Sequence, residues 1–92
     1  MAKVILRQEA INDLNDIWDY TFEKWSESQA EKYYATIKFA CKGIEENPEI
    51  GKEYSGISRN LLGLKSGKHI IFYHLISENE IEVIRILHER MD

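Results

Sequence analysis

Cysteine, proline and long apolar runs are nearly absent from these 92 residues. The chain has one Cys, Cys41, and one Pro, Pro48. A single thiol inside a helical pattern forms no internal disulfide and fits a reducing compartment. No apolar stretch approaches the ~18 residues needed to span a membrane. The opening segment from Met1 to Ala10 is interrupted by Arg7 and Glu9, unlike a secretory leader. A cytoplasmic protein with no membrane partner is expected. Glycine-rich phosphate loops, nucleophile elbows and zincin helices are missing as well. His69 and His74 lie five apart on one predicted strand, so they point to opposite faces, and Cys41 is far from both. No metal site and no cofactor are expected.

Acidic residues are missing from one band. The formal net charge is −4, yet residues 54–76 carry Arg59, Lys65 and Lys68 and no acid at all. The segments on either side are net negative. A protein whose main partner is nucleic acid is usually basic throughout, because phosphate neutralisation supplies most of the affinity. Direct DNA binding by this chain alone is therefore not expected. The basic band fits an acidic protein segment better.

What is present reads as one small α+β domain over residues 1–92. Lys3 to Arg7 reads as a short strand. From Ala10 to Trp25 the residues Ala10, Ile11, Leu14, Ile17, Trp18 and Trp25 share one face at helical spacing. Glu9, Asn12, Asp16, Asp19 and Glu23 form a solvated stripe opposite, a row rather than a convergent ligand set. Ser26 with Gln29, or Ser28 with Glu31, would cap a second helix running to about Glu46. Its inner face carries Ala30, Tyr33, Tyr34, Ile37, Ala40, Cys41 and Ile44. Phe39 projects from the outer face, either beneath a loop or as part of a contact surface.

Asn47-Pro48 stops that helix, and residues 48–60 read as turn-rich and irregular. Leu61 to Lys65 is a strand, with Ser66-Gly67 turning into a hairpin built from Ile70–Tyr73 and Ile81–Leu87. Both hairpin strands are apolar on two faces, as central strands are. The predicted order is β-α-α-β-β-β, a two-layer fold with the helical hairpin on one face of a mainly antiparallel sheet. Arg85, between Val83 and Leu87, is expected on the opposite face in a partly apolar groove beside the basic band. An Arg among apolar residues needs a partner, and one in a groove waits for it.

One constellation could be catalytic: His88 at the end of the last strand, with Arg85, Lys65, Lys68 and Tyr73. A metal-independent ribonuclease needs a general acid or base and cations on the phosphate. The same residues suit an acidic peptide in a groove. His69 and His74 read as ordinary strand residues at the sheet margin.

The element order, Ile17-Trp18-Asp19-Tyr20, the Asn47-Pro48 break, the run Gly67 to Tyr73 and the run Ile84 to Asp92 together resemble the ParE branch of the RelE/ParE toxin superfamily. The resemblance covers nearly the whole chain. It implies a type II toxin with a cognate antitoxin, whose disordered C-terminal segment wraps the helical hairpin and sheet. ParE-like members poison DNA gyrase by protein–protein binding; RelE-like members are ribosome-dependent mRNA endonucleases. Ile70 stands where mRNA-cleaving relatives often carry Arg, and the chain is acidic, so the gyrase reading is favoured. On that reading the partner-binding residues are Arg59, Lys65, Lys68, Tyr73, Arg85, His88, Arg90 and Phe39. If the protein is a ribonuclease instead, His88 and Arg85 are the catalytic candidates.

Overall fold

The computed structural model describes residues 2–90; the last two residues of the C-terminal motif, Met91 and Asp92, lie outside the described residues. The elements are β1 (Lys3–Leu6), α1 (Gln8–Lys24), α2 (Glu27–Glu46), β2 (Lys52–Glu53), β3 (Leu62–Ser66), β4 (His69–Ser77) and β5 (Glu80–His88). The predicted order holds, with one addition. The segment after Pro48 is not wholly irregular: Lys52 and Glu53 pair with Gly63 and Leu62 as a short antiparallel edge strand.

Local chemistry explains the helix ends. Ser26 is extended, and its side-chain oxygen accepts the backbone N–H of Gln29 at 3.1 Å, satisfying one of the open donors of α2. Of the two predicted caps, Ser26 is the one used, as a single N-cap bond, since its own N–H goes to the Thr21 carbonyl at 3.3 Å. Glu9 in the first turn and Lys24 in the last suit the dipole of α1. Helical spacing predicts Trp25 on the inner face of that helix, but it is the C-cap, with non-helical φ and ψ. The spacing no longer applies where the chain has left the helix, and Trp25 is 73% exposed.

The sheet order is β1-β5-β4-β3-β2, with β1 parallel to β5 and every other pair antiparallel. Ala10 of α1 and Ile37 and Ile44 of α2 pack against Ile71, Tyr73, Ile81, Val83 and Ile86 in one core cluster. This is the expected two-layer α+β arrangement, and both helices lie on the same sheet face. On the other face Tyr54 folds back from the loop and its ring meets that of Phe72 edge-on, 5.2 Å between centroids. That face is therefore partly covered by the chain's own loop, rather than left as an open groove.

Two local irregularities shape the end of the sheet. The β4–β5 register slips between Phe72 and Tyr73, so that Phe72 opposes Arg85 while Tyr73 opposes Val83. The extra residue breaks strict alternation along β5: Ile81, Val83 and Ile86 are buried, not Ile81, Val83 and Leu87. The β3–β4 turn carries Gly67 at φ +61, where a Cβ would also sit 2.6 Å from the Tyr33 ring. Only glycine meets both conditions.

Candidate functional site

The β4–β5 pairing places His88 directly opposite His69 at the end of the sheet. The two rings meet edge-to-face with centroids 5.3 Å apart. Tyr33, from the second turn of α2, reaches over the Gly67 turn. Its hydroxyl oxygen accepts the backbone N–H of Lys68 at 2.9 Å and lies 2.5 Å from Nδ1 of His69. The Ser66 carbonyl stands 3.3 Å from the same hydroxyl. On the other ring, the backbone N–H of Arg90 donates to Nδ1 of His88 at 3.1 Å. Burial holds the His69 imidazole below its ordinary pKa, and neighbouring His88 lowers it further. Burial also raises the Tyr33 phenol, so it stays protonated.

These groups form one end of a cleft of about 690 Å³ between the helices and the sheet end. Ile17, Tyr20 and Trp25 wall it on the α1 side, with Lys68 and Asp16 also on its lining. Aromatic and aliphatic walls with a few convergent polar groups are the usual character of a binding cleft. Sequence spacing leaves His69 as a margin residue and misses Tyr33, Tyr20 and Trp25 as lining. The partners lie 36 residues apart in the Tyr33–His69 contact, and no local pattern encodes such a pairing.

The other predicted site residues are dispersed. Arg85 is not an unpartnered cation in a groove. Its Nε and Nη2 donate to the Asp13 carboxylate on α1 at 2.7 and 2.9 Å, and this pairing raises its pKa. Tyr73 is fully buried, donating to the Pro48 carbonyl at 2.8 Å and accepting from the Gly51 N–H at 2.9 Å. It anchors the loop after α2 and is out of reach of a partner. Lys65 pairs with Glu89 at 2.9 Å and depresses that carboxyl's pKa. Arg59 and Arg90 are exposed, in the loop before β3 and just past β5. Phe39 is 79% exposed on the outer side of α2, with no loop over it among the described residues.

Known proteins share both the sequence and the fold. Residues 4–92 match the family described as the ParE toxin of the type II toxin–antitoxin system, parDE. Toxin ParE1 of Mycobacterium tuberculosis is 35% identical over 91 residues, covering 99% of this chain and 93% of that protein. Toxin ParE1 of Caulobacter vibrioides is 31% identical over 87 residues, covering 95% and 88%. A solved chain from the chromosomal ParDE TA system of P. aeruginosa superposes with a TM-score of 0.82 over 96% of each chain. At 18% identity that likeness shows the shared fold. The family match over nearly the whole chain and the two relatives above 30% identity place this protein in the ParE toxin family of type II toxin–antitoxin systems.

Proposed function

We propose that this chain is held inactive by a cognate antitoxin and, once free, arrests growth by binding DNA gyrase as a protein ligand. The observation that carries the choice is the fate of its cations. A nuclease built around His88 would need Arg85 and Lys65 to hold phosphate, and in the folded protein both are committed to carboxylates, Asp13 and Glu89. Lys68 is the one Lys or Arg lining the cleft among the described residues. By contrast, Tyr20, Phe22, Trp25 and Phe39 stand exposed on the helical hairpin. Aromatic residues exposed in this number suit a protein partner better than a phosphate backbone. Arg59, Lys68 and Arg90 would then form the charged rim.

A second reading, ribosome-dependent cleavage of mRNA, draws on one feature, the closely spaced His69 and His88 rings. Two imidazoles could divide acid and base roles. One experiment separates the two. Purified protein is added to gyrase supercoiling and cleavage-complex assays, and in parallel to programmed ribosomes carrying mRNA. Inhibition of gyrase with intact mRNA is expected; mRNA cleavage with unaffected gyrase would reverse the assignment.

A further inference from the structure

The hydrogen bonds at the two cleft histidines bear on where their protons sit. Nδ1 of His88 accepts the Arg90 N–H, so in the neutral ring the proton resides on Nε2. For His69, the Tyr33 oxygen already accepts the Lys68 N–H. Its own O–H then has two acceptors, Nδ1 at 2.5 Å and the Ser66 carbonyl at 3.3 Å. Assigning the O–H to the nearer acceptor, Nδ1, again puts the proton of the neutral imidazole on Nε2. Among the described residues neither Nε2 has a hydrogen-bond partner. We propose that His69 and His88 form a paired Nε2–H donor site for one carboxylate, an Asp or Glu side chain carried on an apolar segment of a protein partner.

Three features of the cleft select that occupant. Two neighbouring N–H donors match the two oxygens of a carboxylate. Ile17, Tyr20 and Trp25 provide apolar wall for the residues flanking it. Charge then decides against phosphate: Lys68 is the single Lys or Arg of the lining, and Asp16 is an acid on the same lining. A monoanion is tolerated beside them better than a dianion. Tyr33 adds a device of its own. When His69 takes a second proton, Nδ1–H can donate to the Tyr33 oxygen while the phenol turns to the Ser66 carbonyl. Both protonation states are accommodated without moving the chain, and a bound carboxylate favours the charged one. The groups that bear on His69 are His88 and Lys68 from the sheet end, Asp13 and Asp16 from α1, Tyr33 from α2 and Glu89 past β5. Since burial and His88 together keep His69 neutral at pH 7, binding should take up a proton and tighten as pH falls toward 6.

This rests on the reading of the protein as a protein-binding toxin, but it is tested apart from it. The probe is 3-phenylpropionate, with 3-phenylpropanamide and inorganic phosphate as controls, followed by the imidazole 15N resonances of the full-length protein. Free protein should show the Nε2–H tautomer at both histidines. The carboxylate should shift both Nε2 signals and raise the apparent pKa of His69, while the amide and phosphate should not. His69→Asn and His88→Asn should each weaken the probe at least about threefold, and the Gln variants, whose amide reaches the Nε2 position, should recover part of it. Tyr33→Phe, which keeps the packing, should weaken the probe and blur the His69 tautomer. Absence of any shift, equal binding of the amide, or a preference for phosphate would overturn the proposal. The same variants enter the gyrase assay. Inhibition by wild-type protein alongside no probe binding would overturn the carboxylate site alone; no inhibition by wild-type protein would overturn the gyrase reading whatever the probe does.

Discussion

Asp13 takes both the guanidinium of Arg85, at 2.7 and 2.9 Å, and the backbone N–H of Ile86, at 3.0 Å. β1 pairs with β5 only as far as Val83, so the edge of β5 beyond that point would otherwise present open donors. One carboxylate from α1 closes that edge and neutralises the neighbouring cation. The pair joins residues 72 apart in sequence and ties the first helix to the last strand.

Removing the shared acceptor should therefore cost more than removing the cation. The Asp13 side chain is 13% exposed and that of Arg85 47%. Asp13→Ala strands the Ile86 N–H and both Arg85 donors, for a loss of roughly 1–3 kcal/mol. Arg85→Ala leaves Asp13 still bonded to Ile86, and partial exposure limits its cost to about 1 kcal/mol. Urea denaturation of the two variants checks the order, and equal losses would show that the edge N–H is satisfied in another way.

Phe39→Ala should barely affect folding. At 79% exposure the ring contributes little to the core, and the loss should be well under the ~3–5 kcal/mol of a buried Phe. Partner binding should weaken instead, read by calorimetry or surface resonance against the antitoxin. A large fall in thermal stability of the isolated protein would contradict this.

Charge reversal at Lys65 and Lys68 should slow association with an acidic partner at low salt. Lys68→Glu should carry most of the effect, because Lys65 is already paired with Glu89. Rim charges act chiefly on the association rate and are screened by salt. Stopped-flow rates indifferent to both the substitution and the salt concentration would refute the role of the basic rim.

His88→Gln keeps a donor near the Nε2 position and removes the titrating group. A gyrase-binding toxin should retain its toxicity, with affinity changed by at most ~1–2 kcal/mol. A general acid or base typically contributes ~10²–10⁴-fold, so a nuclease would be nearly silenced. Cleavage of ribosome-bound mRNA by the wild type, lost in this variant, would decide for the nuclease.

His69 should make stability fall on mild acidification. Its folded pKa lies below the ordinary 6.5, chiefly through burial and then through His88. Below 6.5 the unfolded chain takes up a proton that the native protein refuses, so unfolding is favoured as pH drops. The loss begins near the ordinary value, grows until pH passes the folded one, and then levels off. His69→Gln should flatten the stability curve in that window; an unchanged curve would show that other groups govern it.

The helices, strands and their inner faces were legible because burial follows periodicity, and periodicity is local. Ala10, Ile37 and Ile44 recur at helical spacing, the Ser26–Gln29 cap lies within one turn, and Ile71 and Tyr73 alternate along one strand. The family resemblance rested on the same local runs, and the family match over residues 4–92 agrees with it. Partners across the fold were not legible. Arg85 meets Asp13 of α1 instead of standing in the expected groove, and His88 pairs with His69 across the hairpin. A helix cap at Trp25 turned an expected core residue into the exposed wall of a cleft. Tyr73 was expected among the partner-binding residues, yet the loop after Pro48 supplied its hydroxyl with both its partners and let the ring be buried. Sequence spacing determines which side chains must leave water. Which polar groups then meet is decided by register slips and chain crossings that have no signature in the spacing, and only the packed structure fixes those.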